Sequence, residues 1–170
     1  MREPPKQNNP TEEIFLDPPS PPTVSPLTKI FASALYSGYS PVASGTVGSL
    51  VGLVLYFIPG IESTYILLSA CAIVFVLGGF AASKMEIVYG QDPSVVTIDE
   101  VLGMWVSVLF LPKSLLLAVL AFFIFRLLDI VKPWPARFFD RKPGGWNIML
   151  DDVVAGMYAN LILQVVVRIL

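Results

Sequence analysis

The chain has 170 residues, 55% of them hydrophobic and 14% charged, with a formal net charge of −2 and no histidine. That length suits one domain, and the mean hydropathy of +0.71 lies well above that of a water-soluble one. The charge balance offers no basic field for nucleic acid, and the missing histidines remove Ser-His-Asp hydrolases, histidine-dependent phosphoesterases and most zinc sites.

Residues 1–28 hold eight of the 15 prolines. Proline removes backbone donors and blocks helices, and this stretch has little to bury, so a disordered or polyproline-like tail is expected. No apolar run follows its few basic residues, so it does not read as a signal peptide. Residues 29–170 are expected to form a membrane-embedded domain. Apolar segments follow at 46–59, 63–83, 97–112, 114–131 and 152–169, and no charge lies between Lys29 and Glu62 or between Glu62 and Lys84. A helix needs about 20 residues to cross a bilayer, and only the second and last segments reach or approach that length. The others call for tilt, local thinning or re-entry. The expected fold is all-α: a small multi-pass transmembrane bundle of about five apolar helices, some short or re-entrant. The single cysteine, Cys71, lies mid-segment without a charged neighbour and reads as a packing residue.

The breakers in "IPGIES" (58–63) and "LPKS" (111–114) close two hairpins. These turns and the C-terminus then share one side, and every polar cluster falls on the other. The polar side holds Lys29, Lys84, Arg126, Lys132, Arg137, Arg141 and Lys142, against Lys113 and Arg168 opposite. The positive-inside bias puts the polar side in the cytoplasm.

Four clusters on that side carry possible chemistry. "YSGYSPVASGTVGS" (36–49) has a relaxed, glycine-rich backbone and enters a helix that Thr46 or Ser49 could cap. A helix start suits a phosphate, although a plain re-entry loop with small residues explains the same pattern. "QDPSVVTIDEVLGMW" (91–105) places Asp99 and Glu100 at a helix start, where the dipole favours one acid more readily than an adjacent pair. "FRLLDIVKPWPARFFDRKPGG" (125–145) spaces Arg126, Asp129 and Lys132 by three, on one helical stripe that Pro133 ends. A salt-bridge ladder beside the membrane is the plain alternative. "GGWNIMLDDVVAGM" (144–157) puts Asp151 and Asp152 at the start of the last helix. It also parallels "IDEVLGM" (98–104), a faint repeat with a one-residue slip.

Folded as hairpins, these carboxylates ring a few bases at one membrane depth. Crowded acids either keep protons or bind a cation. Oxygen-only ligation points to Mg²⁺, Mn²⁺ or Ca²⁺, and Mg²⁺ beside lysine and arginine is a set suited to phosphate chemistry.

The motifs "SPVASGTVGS", "VVTIDEVLGMW", "FRLLDIVKPWPARFFDRKPGG" and "IMLDDVVAGM" resemble, in that order and from about Ser37 to Gly156, the phosphatidylglycerophosphatase A family. Ser44 stands where the family usually has proline, and Leu128 where it commonly has phenylalanine. The resemblance implies a Mg²⁺-dependent phosphatase of the cytoplasmic membrane, which in bacteria is the inner membrane. Its substrate would be a phospholipid: it would take the terminal phosphate from phosphatidylglycerophosphate and leave phosphatidylglycerol. On that basis Asp99, Glu100, Asp129 and Asp152 are the expected catalytic carboxylates. Asp99, Glu100, Asp151 and Asp152 would hold the metal, and Asp129 would add a ligand or orient Lys132. Lys132, Arg126 and Arg137 would clamp phosphate oxygens, and the loop at Gly45, Thr46 and Gly48 would add backbone donors. Water is the expected nucleophile and a covalent aspartyl phosphate the alternative; the Asp-x-Asp-x-Thr pattern of haloacid-dehalogenase-type phosphatases is absent. The competing expectation, a small transporter or ion-binding membrane protein, would place acids near mid-membrane; here most stand at helix ends.

Overall fold

The computed structural model describes residues 22–61 and 63–169, so most of the proline-rich tail lies outside the described residues. Among them are seven α-helices, a short 3-10 turn at Ser37–Tyr39 and no strand. Helix α1 (Pro26–Ala32) opens with Pro26 in its first turn and Ser25 as N-cap, whose hydroxyl accepts from the Thr28 N–H at 3.2 Å. It is followed by α2 (Ser44–Tyr56), α3 (Thr64–Tyr89), α4 (Ile98–Val108), α5 (Leu115–Val131), α6 (Ala136–Asp140) and α7 (Gly145–Ile169).

Helix α4 is the hub. Of its 11 residues all but Val106 are buried, and it packs against α2, α3, α5 and α7. At 1.5 Å per residue it is about 16 Å long, roughly half a bilayer core. Small residues let its neighbours close in. A side chain on Gly52 of α2 would meet Val101 Cα at 3.0 Å, and the Gly52 carbonyl accepts from Trp105 Nε1 at 2.9 Å. Gly103 of α4 and Gly156 of α7 pack backbone to backbone. Asn160 of α7 donates to the Ser107 and Leu109 carbonyls, at 3.1 and 2.7 Å, which satisfies the open end of α4.

Helices α3 and α7 are each long and apolar enough to cross a membrane; α2 is a shorter apolar helix. Their outward residues are large and apolar: Tyr65, Ile73 and Phe80 on α3, Leu116, Phe123 and Leu127 on α5, and Leu161 and Val165 on α7 are all exposed.

Three boundaries differ from the expected ones. Helix α7 begins at Gly145, not at 152, because Pro143 and left-handed Gly144 (φ 113°) break the chain just before it. Asp151 and Asp152 therefore stand within α7, not at its opening. Helix α2 begins at Ser44 with left-handed Ala43 as its N-cap residue, so neither Thr46 nor Ser49 caps it. Helix α3 continues to Tyr89 beyond its apolar part, and Glu86 there accepts from the Gly144 N–H at 3.0 Å. That contact ties the end of α3 to the start of α7.

The polar ends of the helices are fixed to one another. After α1, Ala34, Leu35 and Tyr36 run through the left-handed region. This reversal lets Ala32 O accept from the Thr97 N–H at 2.9 Å and Ser37 Oγ meet Thr97 Oγ1 at 2.9 Å, which pins the start of α4. At the opposite end, Lys113 before α5 lies over the Tyr56 and Phe57 rings that close α2.

Candidate active site

Four helices deliver polar side chains to one end of the bundle. Arg126, late in α5, reaches across to α4 and α2. Its Nη1 donates to Glu100 Oε2, to Asp129 Oδ2 at 3.0 Å and to Ser49 Oγ at 3.5 Å. Ser49, fully buried, has its hydroxyl 2.9 Å from Gly45 O and 3.1 Å from Glu100 Oε2. Asp152 enters from α7. Glu100, Asp129 and Asp152 are all buried, and each offers an oxygen within 4.8 Å of the other two. Two atoms here lack a protein partner although they are buried: Arg126 Nε, a donor, and Asp152 Oδ2, an acceptor. Buried polar atoms are rarely left so. A donor facing nothing suits an anion, and three crowded oxygens with a free lone pair suit a hard divalent cation.

Helix α2 leaves the room. A side chain on Gly45 would collide with Glu100 Oε1 and come within 3.0 Å of Arg126 Nη2. One on Gly48 would lie 2.7 Å from Thr97 Cβ and 3.2 Å from Glu100 Cβ. The glycines therefore allow the α2 backbone to rest on the acid–guanidinium cluster.

A second node lies beside the first. Lys132 terminates α5 in the left-handed region (φ 48°) and leaves the Arg126–Asp129 stripe. Its Nζ pairs with Asp140 of α6 and with Asp151 of α7 at 2.6 Å. Burial alone would lower the Lys132 ammonium, but the two carboxylates more than offset this and hold it well above the ordinary lysine range.

The predicted residues thus divide. Glu100, Asp129, Asp152 and Arg126 converge, with Gly45 and Gly48 against them. Asp99 and Asp151 are buried next door, and each accepts from the backbone N–H of the acid that follows it, at 2.9 and 3.0 Å. Adjacent helical residues point about 100° apart, and of each pair only the second acid, Glu100 or Asp152, has an oxygen in the close group with Asp129. Thr46 is half-buried in the first turn of α2. Arg137 is exposed on α6, and Lys132 is occupied by Asp140 and Asp151. Ser49 and Asp140 were not foreseen as site residues. Ser49 carried a signal, standing one turn after Gly45 on the same face. Asp140 had none, because its approach to Lys132 depends on how the chain turns between α5 and α6.

Among the described residues the chain is helical, with two helices of membrane length, and it gathers a buried carboxylate triad around an arginine whose Nε has no protein partner; that is the outline of a membrane-type protein with a polar centre at one end of its bundle. The comparisons narrow that class. The family described as phosphatidylglycerophosphatase A matches residues 30–167. A protein of Escherichia coli K12 named phosphatidylglycerophosphatase A is 38% identical over 141 residues, covering 79% of this chain and 80% of its own length. Its namesake from Haemophilus influenzae is 33% identical over 160 residues, covering 92% and 93%. A Bacteroides thetaiotaomicron protein bearing the name "Putative phosphatidylinositol-3-phosphatase" is 35% identical over 147 residues, covering 82% and 92%. No solved structure matches. The chain belongs to the phosphatidylglycerophosphatase A family.

Proposed function

We propose that the protein hydrolyses the terminal phosphomonoester of phosphatidylglycerophosphate at the cytoplasmic face of a membrane, with Mg²⁺ as cofactor. Family membership supports the reaction. The single observation that carries the site is that one acid cluster and the arginine bonded to it hold two unsatisfied buried atoms, Asp152 Oδ2 and Arg126 Nε. The first asks for a cation and the second for an anion.

Glu100, Asp129 and Asp152 would hold the Mg²⁺, a set smaller than the sequence suggested and drawn from three helices. When bound, the ion neutralises the phosphomonoester and lowers the cost of generating a nucleophile from water. The chain's own residues do the rest. Arg126 is held by Glu100 and Asp129 through Nη1, which leaves Nε and the Nη2 edge beside Gly45 for phosphate oxygens. Ser49 fixes the Glu100 carboxylate from behind. Asp99, Asp151 and Asp140 would act through Lys132 and the helix backbones, as orienting groups.

Five helices, α2, α3, α4, α5 and α7, would lie in the bilayer, with α4 enclosed by the others. The exposed apolar residues on α3, α5 and α7 support this arrangement, as does the excess of basic residues at the site end. Acyl chains would then stay in lipid while the head group reaches the cluster.

The test is phosphate release from phosphatidylglycerophosphate by the purified protein, with Mg²⁺ and with EDTA. Mg²⁺-dependent release is expected. Folded protein that releases nothing with metal present would reject the reading.

A further inference from the structure

The basic residues of the α6 region take no part in the centre described above. Arg137, Arg141 and Lys142, with Trp134 and Phe138, line a groove of about 290 Å³ that no acid lines. The nearest acid in sequence, Asp140, is engaged by Lys132. Lys142 Nζ lies 3.8 Å from the centre of the Phe138 ring, and Trp134 is 80% exposed. The groove nevertheless sits on a fixed platform. Ala136 is buried, Asp140 is tied to Lys132, and Tyr158 of α7 donates to the Trp134 carbonyl at 2.9 Å. Through Lys132 and Asp151 that platform adjoins Asp152.

We propose that this groove binds the phosphodiester of the lipid substrate and so selects lipids that carry one. The inference rests on the phosphatase reading. Phosphatidylglycerophosphate has two phosphates: a terminal monoester, which is cleaved, and a diester that joins the head group to diacylglycerol. A phosphatidylinositol 3-phosphate, the kind of lipid that the Bacteroides relative's name "Putative phosphatidylinositol-3-phosphatase" points to, has the same plan of monoester, polyol and diester. The hydrolytic centre cannot serve both anions. Its three carboxylates against one guanidinium would repel a second phosphate. A diester monoanion needs cations and no metal, and Arg137, Arg141 and Lys142 supply them. Exposed Trp134 and Phe138 suit the level at which glycerol and acyl ester groups meet the head group. Phosphatidic acid, whose monoester sits directly on diacylglycerol, cannot fill the groove and the centre together.

The experiment compares wild type with Arg137→Gln/Arg141→Gln and with Lys142→Gln, in detergent, each checked for an unchanged melting temperature. The first readout is calorimetric binding of dihexanoyl phosphatidylglycerol, which has the diester and no monoester. Dihexanoylglycerol and inorganic phosphate are the comparators. Wild type is expected to bind phosphatidylglycerol more tightly than either comparator, and the double variant, which removes two of the three cations, to bind it at least about tenfold more weakly. The second readout is the ratio of kcat/KM for phosphatidylglycerophosphate over phosphatidic acid, expected to fall about tenfold through KM. Equal binding by wild type and variants, inorganic phosphate binding as tightly as the lipid, or an unchanged ratio would each overturn the proposal. Diester binding that is lost in the variants, in a wild type that hydrolyses nothing, would reject the phosphatase reading and leave the groove in place.

Discussion

Replacing Gly45 by alanine separates the site reading from a purely structural one, because only the site reading predicts lost activity in a protein that is no less stable. Gly45 lies in the first turn of a 13-residue helix. Alanine is a better helix former than glycine by about 1 kcal/mol, so on helix grounds alone Gly45→Ala should stabilise the protein. The surroundings add a cost to activity. The new methyl would collide with Glu100 Oε1 and stand 3.0 Å from Arg126 Nη2. Both are ends of flexible side chains, so the fold can accommodate the change, but the carboxylate must withdraw by about 1 Å, a displacement that costs about 100-fold in a positioned site. The expected result is a melting temperature equal to wild type or higher, with phosphate release from phosphatidylglycerophosphate reduced about 100-fold. Activity within threefold of wild type in a stable Gly45→Ala protein would refute the placement of the phosphate between α2 and Arg126. Gly48→Ala is the contrasting variant: its methyl meets the α4 backbone region at Thr97, so it should lower stability by about 1–3 kcal/mol.

Three further outcomes follow from the same geometry. Asp152→Asn keeps the shape but removes the unpaired carboxylate oxygen, so turnover should fall more than about 1,000-fold and Mg²⁺ should no longer raise the melting temperature; an active, Mg²⁺-responsive variant would reject Asp152 as a ligand. Ser49→Ala leaves Glu100 without one hydrogen bond and should cost about tenfold in kcat, with KM little changed; full activity would mean that Arg126 alone fixes Glu100. Lys132→Met leaves Asp140 and Asp151 facing each other without their cation and should lower stability by about 2 kcal/mol, read from the denaturation midpoint, the figure being reduced because the lysine is partly exposed. Lys132→Arg should restore most of that loss.

Much of the architecture was legible because it rests on periodicity and breakers. The uncharged run from 63 to 83 and Pro59–Gly60 before it mark α3, and Pro133 marks the end of α5 one residue early at Lys132. The convergence of residues near 45, 100, 129 and 152 followed from reversing direction at two turns. Helix starts were less legible. Residues 145–150 are only weakly apolar, yet α7 begins there because Gly144 provides the left-handed break and Trp146 packs against Phe75 and Phe80 of α3. The division of the carboxylates between two nodes was not readable either, since the loop through Pro133 and Pro135 decides where Lys132 points. That loop sends its ammonium to Asp140 and Asp151 and leaves Arg126, among the described residues, as the base bonded to the triad.

The paired acids make physical sense once the two parallel segments are seen side by side. "IDEVLGM" and "LDDVVAGM" lie on α4 and α7, and they meet where Gly103 and Gly156 let the backbones touch. In each pair the first carboxylate accepts from the next residue's N–H, and the second is the one that enters the triad. A lone acid on each helix would supply two ligands with nothing to orient the turns that carry them. A second acid, about 100° round the helix, instead faces the neighbouring node, where Lys132 can hold Asp151 at 2.6 Å. Close helix approach, fixed first acids and aimed second acids thus depend on one another. Asp129 completes the triad from α5, whose last turn also carries the lysine that binds the other node. Moving α5 would therefore disturb both nodes together, which gives a physical reason for so much charge to be gathered within residues 126–145 of an otherwise apolar chain.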